Sequence, residues 1–377
     1  MAKIAIVAGE ASGDLLGSHL IKALKNKRPD LDFFGIAGPK MQAQGAKTLY
    51  AIERLSVRGY VEVIKHLWGL LKLRRDLVKT ILSEKPALFI GIDAPDFNFS
   101  LEKKLKTHGI PTIHYVSPSI WAWRGGRLAK IKRAVTHLLA LFPFEPKIYS
   151  DANIPVTYVG HPSADIFPMT PDIVAARETL KIEPHQTVIT LMPGSRQSEV
   201  SQHADLLIKT VQLLLQKMPE TVFLTPVITR ETRELFERAI YKNNAQGLSI
   251  QILFGHADLA IAAADIVIVA SGTATLEVAL LKKPMVIIYK MPNLSWQILK
   301  RMRYQPYIGL PNILAGRFVV PELLQDDATP EKLSAVTLNL LNDKTYLKEI
   351  NDTFVHIHHQ LKQNTAEKAA NAILAYL

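Results

Sequence analysis

Two segments in the second half of the chain each combine an apolar run, a turn of small residues and a helical pattern. The turns are formed by Gly194, Ser195 and Arg196 in "TVITLMPGSRQSEV" and by Ser271, Gly272 and Thr273 in "DIVIVASGTATLEVALL". Backbone N–H groups at the start of a helix attract an anion, because the helix leaves them unused and its dipole is positive there. These turns therefore predict a site for the phosphates of a nucleotide sugar.

Side chains at and after the turns extend this predicted site. Arg196 carries a planar fork of donors that suits phosphate oxygens. Thr275 belongs to the second turn, and Glu277 lies one turn into the helix, where a carboxylate can bind both hydroxyls of a ribose. Glycine and serine are common in any strand-to-helix turn. It is the presence of two such turns in one half of the chain that favours a nucleotide-sugar site.

Polar residues also follow an apolar run at the start of the chain. Glu10, Ser12 and Asp14 come directly after "KIAIVAG". The glycine spacing is not that of a dinucleotide-binding loop, and no P-loop lysine follows. A close-packed turn with Ser12 or Asp14 as helix cap is one interpretation. It explains Glu10 less well, because a carboxylate at the end of a strand in an open α/β sheet tends to line a crevice.

A second acidic turn, in "ALFIGIDAPDFNFSLEKKLK", contains Asp93, Asp96 and Asn98. An Asx-turn before Pro95 together with a helix cap would account for one of the two aspartates. Asp96 and Asn98 lie nearer the helix start and suit capping, whereas Asp93 lies at the tip of the strand. A sugar hydroxyl that attacks an anomeric carbon needs one general base, and Asp93 is the predicted base.

An aromatic loop follows the next apolar run, with Trp123 and Arg124 near its centre. An indole can stack on a sugar or contact an acyl chain, and an arginine can hold a phosphate. The alternative is a hydrophobic staple followed by a solvated basic helix. We expect the loop to face the substrate.

The elements that must position these residues alternate along the whole chain. Short runs that are apolar on both faces are followed by amphipathic stretches, which is typical of parallel sheets covered by helices. A proline-rich stretch at 160–172 is predicted to link two doubly wound, Rossmann-like domains, 1–165 and 166–345, with the site in a cleft between them. Residues 346–377 are expected to pack back on the first domain or on a partner chain.

The composition narrows the function further. The chain has 377 residues, which suits two domains, and contains no cysteine, which excludes disulfides and thiolate chemistry and fits a reducing cytosol. The net charge of +11 invites nucleic acid, an anionic bilayer or phosphorylated substrates. No nucleic-acid-binding motif is present, so we expect no nucleic acid partner. No uncharged apolar run is long enough for a membrane span.

One helical segment, "VRGYVEVIKHLWGLLKLRRDLVKTIL", has more apolar surface than one packed face needs. A stripe that includes Trp68, Leu71, Val78 and Ile81 would be enough to pack the helix on the core. Further apolar residues widen the apolar arc beyond this stripe, and cations are interleaved among them. This pattern predicts an interfacial helix on an anionic membrane; a helix covered by protein on both sides is the alternative. The predicted contacts are Val63, Leu67, Trp68, Leu70, Lys72, Arg74 and Arg75.

These motifs, in this order, resemble the lipid-A-disaccharide synthases of Gram-negative bacteria. The matching segments are "VAGEASGD", "GIDAPDFN", "HYVSPSIWAWR", "GHP", "PGSR", "SGTATLE" and "LPNILAGR". The resemblance covers essentially the whole chain. "GIDAPDFN" and "YVSPSIWAWR" are specific to that family, whereas "PGSR" and "SGTATLE" fit many sugar-nucleotide transferases.

The resemblance implies a two-domain α/β glycosyltransferase of the GT-B fold. Such an enzyme transfers 2,3-diacylglucosamine, with inversion, from its UDP donor to diacylglucosamine 1-phosphate, giving a β-1,6-linked disaccharide 1-phosphate and UDP. It implies neither a metal nor another cofactor. It also implies a peripheral protein on the cytoplasmic face of the inner membrane, and some family members exchange C-terminal segments between the protomers of a homodimer.

The resemblance also implies roles for individual residues. The two turns would hold the diphosphate, Glu277 the ribose, and Asn312 would reach the same donor. Asp93 would deprotonate the 6-hydroxyl of the acceptor, alone or with Glu10. The implied acceptor contacts are Ser12, Asn98, Trp123 and Arg124. Two alternatives stay open: an isomerase similar to UDP-GlcNAc 2-epimerase, and a non-catalytic protein that binds nucleotide sugars or lipids.

Overall fold

This computed structural model describes residues 2–55, 60–120, 125–292, 296–297 and 306–377. For residues 60–67 and 125 it describes the backbone only. The chain divides into two compact units. The first comprises Met1–Asp165 together with Leu361–Leu377, and the second comprises Ile166–Gln360.

Each unit is built on one parallel sheet. The first sheet has the strand order β3-β2-β1-β4-β5-β6-β7, and the second has the order β10-β9-β8-β11-β12-β13. The strands of the first sheet are β1 (Lys3–Ala8), β2 (Asp32–Ile36), β3 (Ala46–Thr48), β4 (Leu88–Ile92), β5 (Thr112–Tyr115), β6 (His137–Ala140) and β7 (Val156–Tyr158). Those of the second are β8 (Val188–Met192), β9 (Val222–Val227), β10 (Ile250–Phe254), β11 (Ile266–Ala270), β12 (Met285–Tyr289) and β13 (Glu322–Leu324).

Helices connect the strands and cover both faces of each sheet, so the central strands are apolar on both sides. In the first unit they are α1 (Ala11–Lys27), α2 (Pro39–Ala43), α3 (Tyr60–Glu84), α4 (Pro95–Thr107), α5 (Leu128–Ala134), α6 (Glu145–Ser150) and α7 (Pro162–Ile166). The helices of the second unit are α8 (Ile173–Thr179), α9 (Gln197–Lys217), α10 (Arg230–Lys242), α11 (Ala257–Ala263), α12 (Ala274–Leu280), α13 (Leu310–Ala315), α14 (Pro330–Asn342) and α15 (Lys344–Leu361). The last helix, α16 (Thr365–Leu374), belongs to the first unit.

Both sheets reverse their strand order at one point. In the first sheet the chain starts at β1, moves outward to β3 and returns to β4 on the other side of β1. In the second sheet the same reversal separates β8 from β11. Neighbouring strands at such a point send their following loops in opposite directions, which opens a crevice at their carboxyl ends where ligands bind in open α/β sheets.

The C-terminal helix α16 packs against α1 of its own chain. Ala369, Ala370 and Ile373 are fully buried in the core of the first unit. The Asp165 carboxylate accepts hydrogen bonds from the backbone N–H groups of residues 363, 364 and 365, at 3.1, 3.0 and 2.7 Å. One carboxylate thereby satisfies two N–H donors at the helix start and that of the residue before it.

We expect Asp165→Ala to loosen the C-terminal segment. Loss of a helix cap costs roughly 1–2 kcal/mol, and here one side chain serves three N–H groups. Hydrogen exchange followed by mass spectrometry should show faster exchange across residues 362–377. Asp172→Ala is the matched control, because Asp172 caps α8 through a single hydrogen bond from Ala175. Unchanged exchange of the C-terminal segment in Asp165→Ala would contradict this role.

Candidate active site

The two small-residue turns of the second unit lie side by side. They follow β8 and β11, which are neighbouring parallel strands with Met192 opposite Val269. Both turns therefore emerge at the carboxyl edge of the sheet, where the strand order reverses. The structure brings together two segments that are about 75 residues apart in the sequence.

The first turn differs from the expectation in one respect, because its backbone N–H groups are already paired. Glu199 Oε2 accepts hydrogen bonds from the N–H groups of Ser195 and Arg196, at 3.0 and 3.2 Å. Gly194 has φ +120°, and a Cβ there would lie 2.5 Å from the Cβ of Glu199. A carboxylate three residues after the helix cap thus fills the place expected for an anion. The Arg196 guanidinium lies 3.5 Å from Glu199 Oε1, but its side chain is 72% exposed and remains accessible to a ligand.

The second turn is more open. Gly272 and Thr273 are exposed, and the Ser271 hydroxyl donates to the carbonyl of Ile308 at 3.4 Å. Thr275 is fully buried and donates its hydroxyl to the carbonyl of Gly272 at 2.7 Å. The structure therefore gives Thr275 a role in shaping the turn, rather than the ligand contact that was expected.

Glu277 lies in the first turn of α12 and is partly buried. Burial raises the pKa of its carboxyl, and the nearby Asp258 carboxylate adds to the effect. Within the described part of the chain no cation forms an ion pair with Glu277. Such a carboxylate is free to accept hydrogen bonds from the hydroxyls of a sugar.

Asn312 does not lie where a ligand could reach it. Its side chain is fully buried, and its Oδ1 accepts hydrogen bonds from the N–H groups of Val319 and Val320, at 2.7 and 3.0 Å. Its Nδ2 donates to Val320 O and to Glu322 Oε1, both at 2.9 Å. These bonds use the full capacity of the amide. Asn312 therefore supports the segment before β13 and is not expected to touch the donor.

His203 is a residue of this region that sequence reasoning missed. It is fully buried on α9, and its Nδ1 donates to the carbonyl of Pro193 at 2.8 Å. Its Nε2 accepts a hydrogen bond from the N–H of Lys290 at 3.0 Å, which fixes the neutral tautomer. His203 thus joins the first turn to the residue after β12. A lone histidine in an amphipathic helix carries no signal in the sequence for such a bridge.

The bridge makes the second unit sensitive to acid. Burial lowers the pKa of His203 below its usual value near 6.5, so the folded unit resists protonation there. Its contribution to stability is complete above that usual value and is lost as the pH falls below it. We expect the Tm of the wild-type protein to fall between pH 7 and pH 5 more steeply than that of His203→Gln. His185→Gln, which changes an exposed histidine, should retain the wild-type slope; equal slopes for all three would contradict the prediction.

Glu10 and Asp93 are neighbours at the reversal point of the first sheet. They follow β1 and β4, which pair in parallel with Ala8 opposite Ile92. The two turns touch, since a Cβ on Gly9 would lie 2.5 Å from the Cβ of Ala94. Glu10 is exposed at the start of α1, and Ser12 is exposed in its first turn.

Asp93 is held in an uncommon backbone conformation. Asp93 and Ala94 have φ values of +51° and +43°, in the left-handed region. Residues in this region raise the energy of the fold and occur often at functional sites. The N–H of Asp93 donates to the carbonyl of Tyr115 at 2.9 Å, and its side chain is half-buried. The turn therefore presents one carboxylate at the edge of the sheet.

Two polar neighbours of this turn have structural roles. Asn98 is fully buried and donates from Nδ2 to the carbonyls of Asp93 at 2.8 Å and Ile92 at 3.4 Å, so it supports the turn instead of meeting the acceptor as expected. Asp14 caps α2, not α1, through the N–H groups of Lys40 and Met41. The predicted contacts Trp123 and Arg124 lie outside the described residues.

Helix α3 packs on the first unit with a stripe that overlaps only in part with the one expected. Leu73, Leu77, Val78 and Ile81 are buried, whereas Trp68 and Leu71, which were assigned to the core, are 83% and 39% exposed. Lys72 and Arg75 are exposed, and Leu70 and Arg74 are half-buried. The side chains of Val63 and Leu67 lie outside the described set. None of the described helices is both long enough and apolar enough to cross a membrane.

Solved structures with the same fold define the class of protein. MurG from Acinetobacter baumannii aligns with a TM-score of 0.57 at 16% identity, over 99% of each chain. HepE from Anabaena in complex with UDP and glucose aligns with a TM-score of 0.59 at 13% identity over the whole of both chains. UDP-GlcNAc 2-epimerase from Neisseria meningitidis, bound to UDP-GlcNAc, reaches 0.64 at 13% identity over 99% of this chain and 98% of that one. The chain therefore has the α/β fold of the GT-B glycosyltransferases.

Sequence comparison identifies the family within that class. The model of the lipid-A-disaccharide synthetase family matches residues 4–375. The lipid-A-disaccharide synthase of Methylobacillus flagellatus is 63% identical over the whole of both chains. That of Azoarcus sp. is 55% identical over all of this chain and 96% of its relative. This chain belongs to the lipid-A-disaccharide synthase family.

Proposed function

We propose that this protein is an inverting hexosyltransferase that moves 2,3-diacylglucosamine from UDP-2,3-diacylglucosamine to 2,3-diacylglucosamine 1-phosphate. The observation that carries the proposal, beyond family membership, is the half-buried Asp93 carboxylate in its left-handed turn beside Glu10. A sugar hydroxyl is a poor nucleophile until a base removes its proton. Asp93 is the base we assign.

The second unit, in this proposal, holds the donor. The Arg196 guanidinium and the exposed turn at 271–273 bind the diphosphate, and Ser195 and Gly194 shape the same surface. Glu277 accepts hydrogen bonds from the ribose hydroxyls. Cationic and backbone N–H donors stabilise the negative charge that develops on the departing UDP, which a divalent metal does in other enzymes. No metal or other cofactor enters the proposed reaction.

The first unit, in this proposal, holds the acceptor and the base. Asp93 takes the proton from the 6-hydroxyl as its oxygen bonds to the anomeric carbon of the donor. The bond from that carbon to UDP breaks on the opposite face, so the configuration inverts to a β-1,6 link. Glu10 and Ser12 orient the acceptor, and Trp123 and Arg124 are retained as predicted contacts.

The exposed face of α3 is the proposed membrane contact, on the cytoplasmic side of the inner membrane where both acylated substrates are reached. Each cation near an anionic surface contributes about 1 kcal/mol, so Lys72→Gln/Arg75→Gln should bind phosphatidylglycerol-containing vesicles about 30-fold more weakly. Trp68→Ser should weaken binding further, because an indole anchors at the interface. Val174→Ser removes an exposed apolar side chain of the second unit and should bind normally. The proposal would be contradicted if the α3 variants bound the vesicles as tightly as the wild type and salt did not affect that binding.

A homodimer formed by exchange of residues 362–377 would make the α16–α1 contacts between protomers instead of within one. We propose this dimer as an alternative assembly of the same interface. Sedimentation in detergent distinguishes monomer from dimer.

The reaction is tested by UDP release from purified protein in detergent micelles with UDP-2,3-diacylglucosamine, with and without diacylglucosamine 1-phosphate. Acceptor-dependent release with a disaccharide product is the expected result. Acceptor-independent turnover of UDP-GlcNAc would instead favour the epimerase alternative, whose fold is the same. Binding of either lipid without turnover would favour a non-catalytic binding protein.

A further inference from the structure

A group of fully buried polar side chains lies beneath the Asp93 turn. Glu102 on α4 and His114 on β5 are both 0% exposed, and Glu102 Oε1 lies 2.7 Å from His114 Nδ1. The His114 ring packs at 4.5 Å from the ring of Phe99. Asn98, one helical turn before Glu102, is also 0% exposed. Neither Glu102 nor His114 is reachable by substrate, so neither is a catalytic residue.

Glycine at position 91 makes room for this group. A Cβ on Gly91 would lie 2.2 Å from Glu102 Oε1 and 3.1 Å from Asn98 Cγ. The Glu102 carboxylate and the Asn98 amide therefore lie close together over Gly91 in strand β4, just before Ile92 and Asp93.

Asn98 connects this space to the base. Its Nδ2 donates to the carbonyl of Asp93, the residue whose side chain we assign as base. A left-handed turn at a non-glycine residue needs support from its surroundings, because the conformation is itself unfavourable. The Asn98 hydrogen bonds supply that support at the end of β4.

The pair is energetically expensive where it lies. Burial of a carboxylate raises its free energy even when it is hydrogen-bonded, and burial raises the pKa of Glu102. Among the described residues, Glu102 Oε2, His114 Nε2 and Asn98 Oδ1 have no hydrogen-bond partner. Apolar side chains of similar volume would fill this space at lower cost. A role beyond packing accounts for the polar groups.

We propose that Glu102 and His114 are positioning residues for the transfer reaction, which hold Asn98 and, through it, the Asp93 turn in the geometry that presents the base to the acceptor hydroxyl. The inference rests on the proposed function. His114 fixes the orientation of the Glu102 carboxylate through the 2.7 Å bond, and Glu102 limits the positions open to the Asn98 amide.

The test is the double variant Glu102→Leu/His114→Phe, which removes both polar partners and keeps the space filled. We expect kcat for acceptor-dependent UDP release to fall about 10- to 100-fold, as is usual when a reacting group is misplaced. The KM for the UDP donor should stay within about twofold, because the donor is assigned to the other unit, and the Tm should be unchanged or higher. A purely structural pair would leave kcat unchanged.

A matched control and a rescue complete the test. Thr112→Val removes a buried hydrogen bond, to the carbonyl of Ala134 at 2.7 Å, from the same strand at the end away from Asp93, and should keep the wild-type kcat. The single variant His114→Asn can retain a donor near the position of Nδ1, so it should keep most of the wild-type kcat that the double variant loses.

Specific outcomes would overturn the inference. A folded double variant with wild-type kcat would do so, and so would a loss that Thr112→Val shares. If the double variant does not fold, Glu102→Met decides, because it removes the acceptor for His114 and keeps a similar volume: a wild-type kcat overturns the inference, and a reduced kcat with a preserved Tm supports it. A wild-type enzyme without acceptor-dependent UDP release would overturn the proposed function itself before any variant is compared.

Discussion

Asp93→Asn is expected to lower the kcat of disaccharide formation by about 10²–10⁴-fold, the usual contribution of a general base. Asparagine has nearly the same shape as aspartate and tolerates the left-handed conformation at φ +51°, so the turn should be retained. It cannot take the proton of the acceptor hydroxyl. The KM values for both substrates should therefore change far less than kcat, and the measurement is steady-state UDP release at saturating acceptor.

The same turn offers a matched control. Asp96 lies three residues further on, is 73% exposed and pairs with Arg127 at 3.1 Å. Asp96→Asn makes the same chemical change at a surface position and should stay within about twofold of the wild-type kcat, since an exposed ion pair contributes little. An active Asp93→Asn would remove the assignment of the base. Equal losses in both variants would point to general damage to the turn.

Arg196→Ala is expected to lower kcat/KM for the UDP donor by about 10²-fold. Hydrogen bonds to charged groups contribute about 1.5–3 kcal/mol each, and the guanidinium can make two to a diphosphate. Because Glu199 already pairs with the backbone N–H groups of this turn, the loss of the side chain removes the main contact that the turn can offer. Kinetics at varied donor concentration and calorimetric binding of UDP measure the effect.

Two further variants make this result specific. Arg196→Lys keeps the charge but loses the planar fork, so it should fall between the wild type and alanine. Arg233→Ala removes an arginine of α10 that pairs with Glu237 at 2.7 Å on the surface, and it should leave UDP binding unchanged. Wild-type UDP affinity in Arg196→Ala would place the diphosphate on the second turn alone.

Most of the strands could be predicted from the sequence. The runs before the two small-residue turns became β8 and β11, and those before Glu10 and Asp93 became β1 and β4, because a strand buried on both faces must be apolar throughout. The strands at 46–48 and 322–324 were missed. Each has only three residues at the edge of a sheet, which is too short a run for its periodicity to predict a strand.

For helix α3, the hydrophobic periodicity alone did not determine which face packs on the core. Its apolar residues cover a wide arc, so the pattern allowed several choices of the packed face. The structure selects the face of Leu73, Leu77 and Ile81 and exposes Trp68. The neighbours of the helix decide this choice, and they come from distant parts of the chain.

The sequence by itself determined the fold class, the order of strands and helices, and the turns on which polar residues lie. These follow from local patterns, and parallel strands bring their carboxyl ends to one edge of a sheet. The tertiary structure alone decided which polar side chains are left for a ligand. Glu199 occupies the N–H groups of its turn, Asn312 and Thr275 satisfy the backbone, and His203 bridges to a residue 87 positions away. A hydrogen-bonding group binds whatever partner folding places beside it, and residue type does not reveal that partner.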